Sequence, residues 1–152
     1  MKLDRAIIPF FQWKLEIIAV DEKVSDIMLT SSMQNITGSG MAQVAANQLM
    51  EYQHKQRQAF DFSIAISGTP FFVKVMEALM KVPYGKSVSY EDLAKRIGQP
   101  NAQRAVGNAV GKNRLLIVLP CHRIIRKDQS IGGFSAPIEL KKRLLNHEQS
   151  IK

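Results

Sequence analysis

The sequence predicts an α+β protein in two parts, a small N-terminal sheet with one helix and a helical C-terminal half. Three observations carry this. Apolar residues recur at every second position in stretches before residue 67 and at helical spacing after it. The SGTP stretch at residues 67–70 ends the first pattern and opens a helix. Charge changes at the same place: residues 1–70 carry 6 Lys+Arg against 7 Asp+Glu, and residues 71–152 carry 15 against 6. The expected boundaries are 1–67 and 68–152.

In the first part, Phe11, Trp13, Leu15 and Ile17 alternate with Gln12, Lys14 and Glu16, the period of a strand. Residues 20–23, VDEK, read as a turn, and residues 24–30 as the returning strand. Residues 30–40, TSSMQNITGSG, have the composition of a loop. A helix is expected over residues 42–58, with Ala45, Ala46, Leu49 and Met50 on one face. His54 lies among Gln and Lys on it and is expected in solvent. Phe60, Phe62, Ile64 and Ile66 alternate again and predict another strand. No reactive cluster falls in this part.

In the second part, Thr69 and Pro70 read as an N-cap and an N1 proline. Phe72, Val75, Met76, Leu79 and Met80 follow at amphipathic helical spacing, ending before Pro83 and a PYGK turn. Ser89 caps a short helix, YEDLAKRI, closed by Gly98 and Pro100. Asn101 is expected to cap a second, AQRAVGNAV, which ends at Gly111. Its buried side should be small: Ala102, Ala105, Val106, Ala109 and Val110. Gln103, Arg104, Gly107 and Asn108 face the other way, with Lys112 past the cap. Two short capped helices with a polar-basic face on the second suggest a helix-turn-helix, although many helical hairpins share the pattern. Residues 115–119 are an apolar run delivering Pro120 and Cys121, and residues 132–137, GGFSAP, form a loop. A last helix starts at Pro137, with Ile138, Leu144 and Leu145 apolar, Lys141, Lys142 and Arg143 in solvent, and His147 and Glu148 near its end.

With 45% hydrophobic and 22% charged residues in 152, the chain can bury an ordinary core and is not disordered. Its first residues interrupt every apolar run with charge, so neither a signal peptide nor a membrane span is expected. One cysteine forms no internal disulfide, which fits a reducing cytoplasm, and excludes a multi-cysteine zinc site. The basic second half reads either as an ordinary basic surface or as a polyanion-binding one, with phosphates as the partner.

That cysteine, Cys121, lies in VLPCHRII at residues 118–125. Lone cysteines are usually small buried hydrophobes. Here His122 and Arg123 follow directly, and cations favour a thiolate. Consecutive residues of an extended chain point oppositely, so a water between Cys121 and His122 is a better link than a direct dyad. A carboxylate is needed to orient the imidazole, and Glu148 is the candidate.

PCHRI at residues 120–124, preceded by GKN at 111–113 and followed by GGF and NHE, resembles the O6-alkylguanine-DNA alkyltransferases, also called methylated-DNA–protein-cysteine methyltransferases. The resemblance is close from about Gly68 to Glu148, with SYEDLA, QRAVGNAV and LPCHRII in order; residues 1–66 match only in general plan. It implies a ribonuclease H-like first lobe and a winged helix-turn-helix-like DNA-binding second lobe. It also implies irreversible, stoichiometric transfer of an alkyl group from O6 of guanine, or from O4 of thymine, to Cys121, with the damaged base flipped out of the duplex. By position, Cys121 is the nucleophile and His122 takes its proton through water. Glu148 orients and charges the imidazole, and Asn113 stabilises the turn leading to the site. Tyr90 donates to guanine N3 and rotates the nucleotide, and Arg104 fills the vacated stack. Gln103, Asn108 and Arg123 are expected with them at the DNA, the second helix entering the minor groove. Ile124, Phe134 and Ser135 would line the guanine pocket, the Ser135 N–H meeting O6 and the carbonyls of Cys121 and Ile124 the exocyclic amine.

The chain departs from the pattern at Phe134, where many members carry Tyr, and the pocket near Ala136 and Pro137 varies among members. No cofactor and no metal are expected. The resemblance implies double-stranded DNA carrying O6-alkylguanine as the partner; the protein is expected to be a cytoplasmic monomer that does not engage membranes. Two rivals stay open on the residues alone: a non-enzymatic helix-turn-helix regulator, and a thiol hydrolase using Cys121 with His122 or His147.

Overall fold

The computed structural model describes residues 1–128 and 136–149. The chain is α+β and divides into two compact units, Met1–Ile66 with Arg114–Leu116, and Ser67–Asn113 with the chain from Ile117 onward.

The first unit is a three-stranded antiparallel sheet, β1 (Leu3–Phe10), β2 (Trp13–Val20) and β3 (Lys23–Leu29), followed by helix α1 (Met41–Gln53). The first strand was not expected, and the expected start of the next, Phe11, is a turn residue with φ 52°. Alternation fails as a signal in β1 because Ile7 and Ile8 are buried side by side. Asp21 and Glu22 both take left-handed backbone, the two-residue turn whose twist matches the strands it joins. The alternating residues 60–66 do not form a strand. Only Ile64 makes an isolated parallel bridge to Val24, and Leu115 makes another to Ile27. Apolar alternation marks which side chains are buried, whereas a strand also needs a continuous backbone partner.

Helix α1 stops at Gln53, short of residue 58, because Lys55 turns left-handed just past the His54 cap. His54 is exposed, as expected. The packed face is Ala42, Ala45, Ala46, Gln48, Leu49 and Tyr52, while Met50, expected on it, is exposed. No side chain within the helix caps its start. Asp4 of β1 does so from across the unit, accepting from the N–H groups of Ser39 (2.8 Å), Gly40 (2.8 Å) and Ala42 (2.9 Å).

In the second unit, helix α2 (Pro70–Met80) starts as expected, with Thr69 accepting from the Phe72 N–H at 3.1 Å. Strand β4 (Val88–Ser89) leads into helix α3 (Tyr90–Arg96), whose start is a full capping box between Ser89 and Asp92. Helix α4 (Gln103–Val110) is capped at Ala102 rather than Asn101, without a side-chain bond. It buries Val106, Ala109 and Val110; Ala105 is exposed and Ala102 half-buried, against expectation. A single 3-10 turn, Cys121–Arg123, precedes strand β5 (Ile124–Ile125), which pairs in parallel with β4. Helix α5 (Ile138–Gln149) closes the unit, burying Leu140, Lys141, Leu144, His147 and Glu148. Lys141 was expected in solvent and is fully buried, because it shares a helix face with Leu144 and Glu148.

Candidate active site

The site is assembled from four pieces of the second unit: Asn113 beyond the end of α4, the 3-10 turn, the turn after α2, and the last two turns of α5. Ile117, with φ 75°, reverses the chain on the way from α4. A left-handed β-branched residue is strained and persists only where its surroundings hold it. Cys121 then lies at the start of the 3-10 turn, fully buried.

Asn113 is buried and its Nδ2 donates to the Leu119 carbonyl at 2.8 Å and to Cys121 Sγ at 3.1 Å. It was expected only to stabilise the turn. An amide N–H aimed at sulfur also favours the thiolate over the thiol.

The 3-10 turn corrects the extended geometry assumed for Cys121 and His122. His122 is fully buried, with Nε2 at 2.7 Å from Glu148 Oε2. Its Nδ1 is buried and without a hydrogen-bond partner among the described residues. A carboxylate at Nε2 selects the tautomer with the proton there, leaving a lone pair on Nδ1. The expected pairing of His122 with Glu148 is therefore present.

Arg123 was expected at the DNA; instead it is buried and forks onto Glu148. Its Nε donates to Oε1 and its Nη2 to Oε2, both at 2.9 Å, and its Nη1 donates to the Val82 carbonyl at 2.7 Å. The Tyr84 ring lies under the guanidinium, 5.8 Å from Cζ to the centroid. The Gly85 N–H donates to Glu148 Oε1 at 3.2 Å, and Gly85 has φ 77°, where a side chain would be strained. The turn itself was expected from PYGK, but its part in the site was not, because PYG reads as a breaker and carries no reactive group.

Burial pushes the Glu148 carboxyl up, but hydrogen bonds from His122 and Arg123 and their charges outweigh it and hold the group well below the usual range. Burial lowers the His122 imidazole; Glu148 pulls it up, and Arg123 and Lys141 push it down, the net being downward. Lys141 is lowered to about 8, by burial first, with Cys121 pulling the other way and Arg126 adding to the fall.

Gln103, Arg104 and Asn108 are exposed along α4. Tyr90 starts α3 half-buried, with its ring beside Gly107 of α4. Ile124 is fully buried at the start of β5. Phe134 and Ser135 lie outside the described residues. No group of three or more His, Cys, Asp and Glu among the described residues is placed to hold a metal.

Residues 70–150 match the family model described as "6-O-methylguanine DNA methyltransferase, DNA binding domain". The chain is 44% identical over 106 residues to the constitutive methylated-DNA–protein-cysteine methyltransferase of Bacillus subtilis, covering 69% of this chain and 64% of that relative. Its fold is similar to the crystal structure of the Mycobacterium tuberculosis O6-methylguanine methyltransferase, with TM-score 0.87, 30% identity and coverage of 98% and 94% of the two chains. A Mycobacterium tuberculosis structure solved in complex with DNA superposes with TM-score 0.86 at 31% identity, covering 95% of this chain and 91% of that one.

Proposed function

Because this chain belongs to the 6-O-methylguanine DNA methyltransferase family, we propose that it repairs DNA by moving a methyl or other alkyl group from O6 of guanine to its own Cys121, irreversibly and once per molecule. The observation that carries the reading is a fully buried thiol that accepts a hydrogen bond from Asn113, next in sequence to an imidazole whose Nε2 is bound by a carboxylate.

The steps follow from these atoms. His122 Nδ1 takes the thiol proton through a water, and the Asn113 amide stabilises the sulfur anion. The thiolate attacks the alkyl carbon in line; a carbon–sulfur bond forms, the carbon–O6 bond breaks, and its electron pair stays with guanine. Tyr90 donating to N3 makes that base a better leaving group. The product thioether has no easy leaving group, so the protein is spent. No cofactor enters this scheme.

The duplex must release the base before it can reach a buried thiol, at a cost of a few kcal/mol. The pair α3 and α4 serves as the helix-turn-helix, with Gln103, Arg104 and Asn108 on the exposed face of α4 toward DNA and Arg104 filling the vacated stack. Ile124 and the segment holding Phe134 and Ser135 supply the guanine pocket. The first unit is the ribonuclease H-like lobe and the second the winged helix-turn-helix-like one, acting as a monomer in the cytoplasm. No helix among the described residues is long and apolar enough to cross a membrane.

The test is an intact-mass measurement with excess O6-methylguanine duplex. One methyl mass should appear on the peptide containing Cys121, and repair should plateau at one equivalent of protein. Cys121→Ser should abolish transfer and keep DNA binding. Repeated turnover, or transfer that survives the serine, would overturn the reading.

A further inference from the structure

Glu148 has more partners than an orienting carboxylate needs. One oxygen serves His122 Nε2 and Arg123 Nη2; the other serves Arg123 Nε and the Gly85 N–H. The guanidinium fork therefore spans the carboxylate, and the imidazole meets one oxygen at its side. The carboxylate and guanidinium are both buried, so their attraction is strong, and together they carry no net charge.

We propose that Arg123 is a positioning residue of alkyl transfer, neutralising Glu148 so that the buried His122 stays uncharged, with its proton on Nε2 and its Nδ1 lone pair free to receive the thiol proton. Without this fork, the nearest charge to the imidazole would be an uncompensated carboxylate, which favours an imidazolium. An imidazolium has no lone pair at Nδ1 and cannot act as the base. The turn after α2 completes the device: the Val82 carbonyl and the Tyr84 ring hold the guanidinium, and the Gly85 amide holds the carboxylate. The charged and titratable groups around His122 are Glu148 and Lys141 from α5, Arg123 and Cys121 from its own turn, and Tyr84 facing the ion pair from the turn after α2. Lys141 acts in the same direction as Arg123, disfavouring a second buried cation.

This role rests on the proposed use of His122 as the base, so the test separates the two. Nitrogen-15 spectra of the histidine rings, recorded on the full chain without DNA, read the tautomer and the titration of His122 directly. In the parent protein His122 should be neutral at pH 7, with its proton on Nε2. Arg123→Met should raise its titration midpoint by about one pH unit or more, whereas Arg123→Lys, which keeps the charge, should leave it near the parent value. The base must be unprotonated, so single-turnover transfer rises with pH through the His122 midpoint. In Arg123→Met that rise should move to higher pH, making transfer about tenfold slower per unit on its acidic side. Were the methionine variant not to fold, the parent spectrum and the lysine variant decide. An imidazolium at pH 7 in the parent, a midpoint unmoved by methionine, or a lysine variant shifted well above the parent overturns the inference. Methyl transfer to Cys121 with an unmoved His122 defeats this inference alone. The expected His122 shift without any methyl transfer defeats the functional reading alone.

Discussion

Asn113 divides one amide between a carbonyl and a sulfur, and its chemistry is testable by a nearly isosteric change. Asn113→Asp removes the donor to Cys121 Sγ and sets a carboxylate beside it. A negative neighbour disfavours the thiolate, and the Leu119 carbonyl loses its donor, at a cost of about 1–3 kcal/mol. Transfer to Cys121 should slow by more than about tenfold, each pH unit of thiol shift being worth about that factor. A rate constant near the parent's, measured at saturating O6-methylguanine DNA, would reduce Asn113 to a turn former. The two side chains around Glu148, His122 and Arg123, differ from it in kind. Their distances of 2.7 to 2.9 Å to the carboxylate describe a closed buried network, where removing Arg123 strands a charge.

At the scale of elements, α4 carries a glycine in its interior where helix formation gains nothing from one. A Cβ on Gly107 would meet the Tyr90 ring at 3.8 Å, ordinary van der Waals contact. Gly107→Ala should therefore stabilise the protein by about 0.5–1 kcal/mol and raise its melting temperature. If that face of α4 enters DNA, the added methyl lies between Arg104 and Asn108 and costs duplex repair more than reaction with a free O6-alkylguanine base. Equal effects on both substrates would remove α4 from the DNA contact. Helix α3 is more self-sufficient, its two ends set by local residues. Ser89 and Asp92 close the N-terminus, acidic groups occupy the first turn, and Lys95 and Arg96 the last.

For the whole molecule, the buried ionisable groups set how stability varies with pH. Burial lowers the Lys141 ammonium to about 8 in the folded protein, against about 10.4 when unfolded. Between those values the unfolded chain holds the extra proton, so stability rises with pH there; below about 8 the penalty on the buried cation is present in full. Glu148 has the opposite sign at the other end. Its folded value lies below the ordinary one, so its contribution is complete above about 4.3 and is lost as pH falls toward the folded value. Urea midpoints should thus fall in acid and rise from pH 8 toward 10. Lys141→Met should flatten the alkaline rise, and a rise that persists would place its origin in another group.

Composition and local signals determined the class, the change of character near residue 67, and the helices α2 and α3 with their caps, because each rests on neighbours along the chain. The cysteine, its histidine, and the glutamate 26 residues beyond the histidine were legible through the motif and its resemblance. Other features belonged to the tertiary structure alone. Asp4 caps a helix 37 residues away by sequence, and the alternation at residues 60–66 lacks the partner that would make it a strand. Lys141 reads as a solvated cation until Leu144 and Glu148 are seen to share its face. Arg123 reads as a DNA contact until Val82, Tyr84 and Gly85 close around it. A charged side chain carries no local mark of its partner, since burial and pairing come from chain segments brought together only by folding, and these decide whether it faces solvent or holds a buried carboxylate in place.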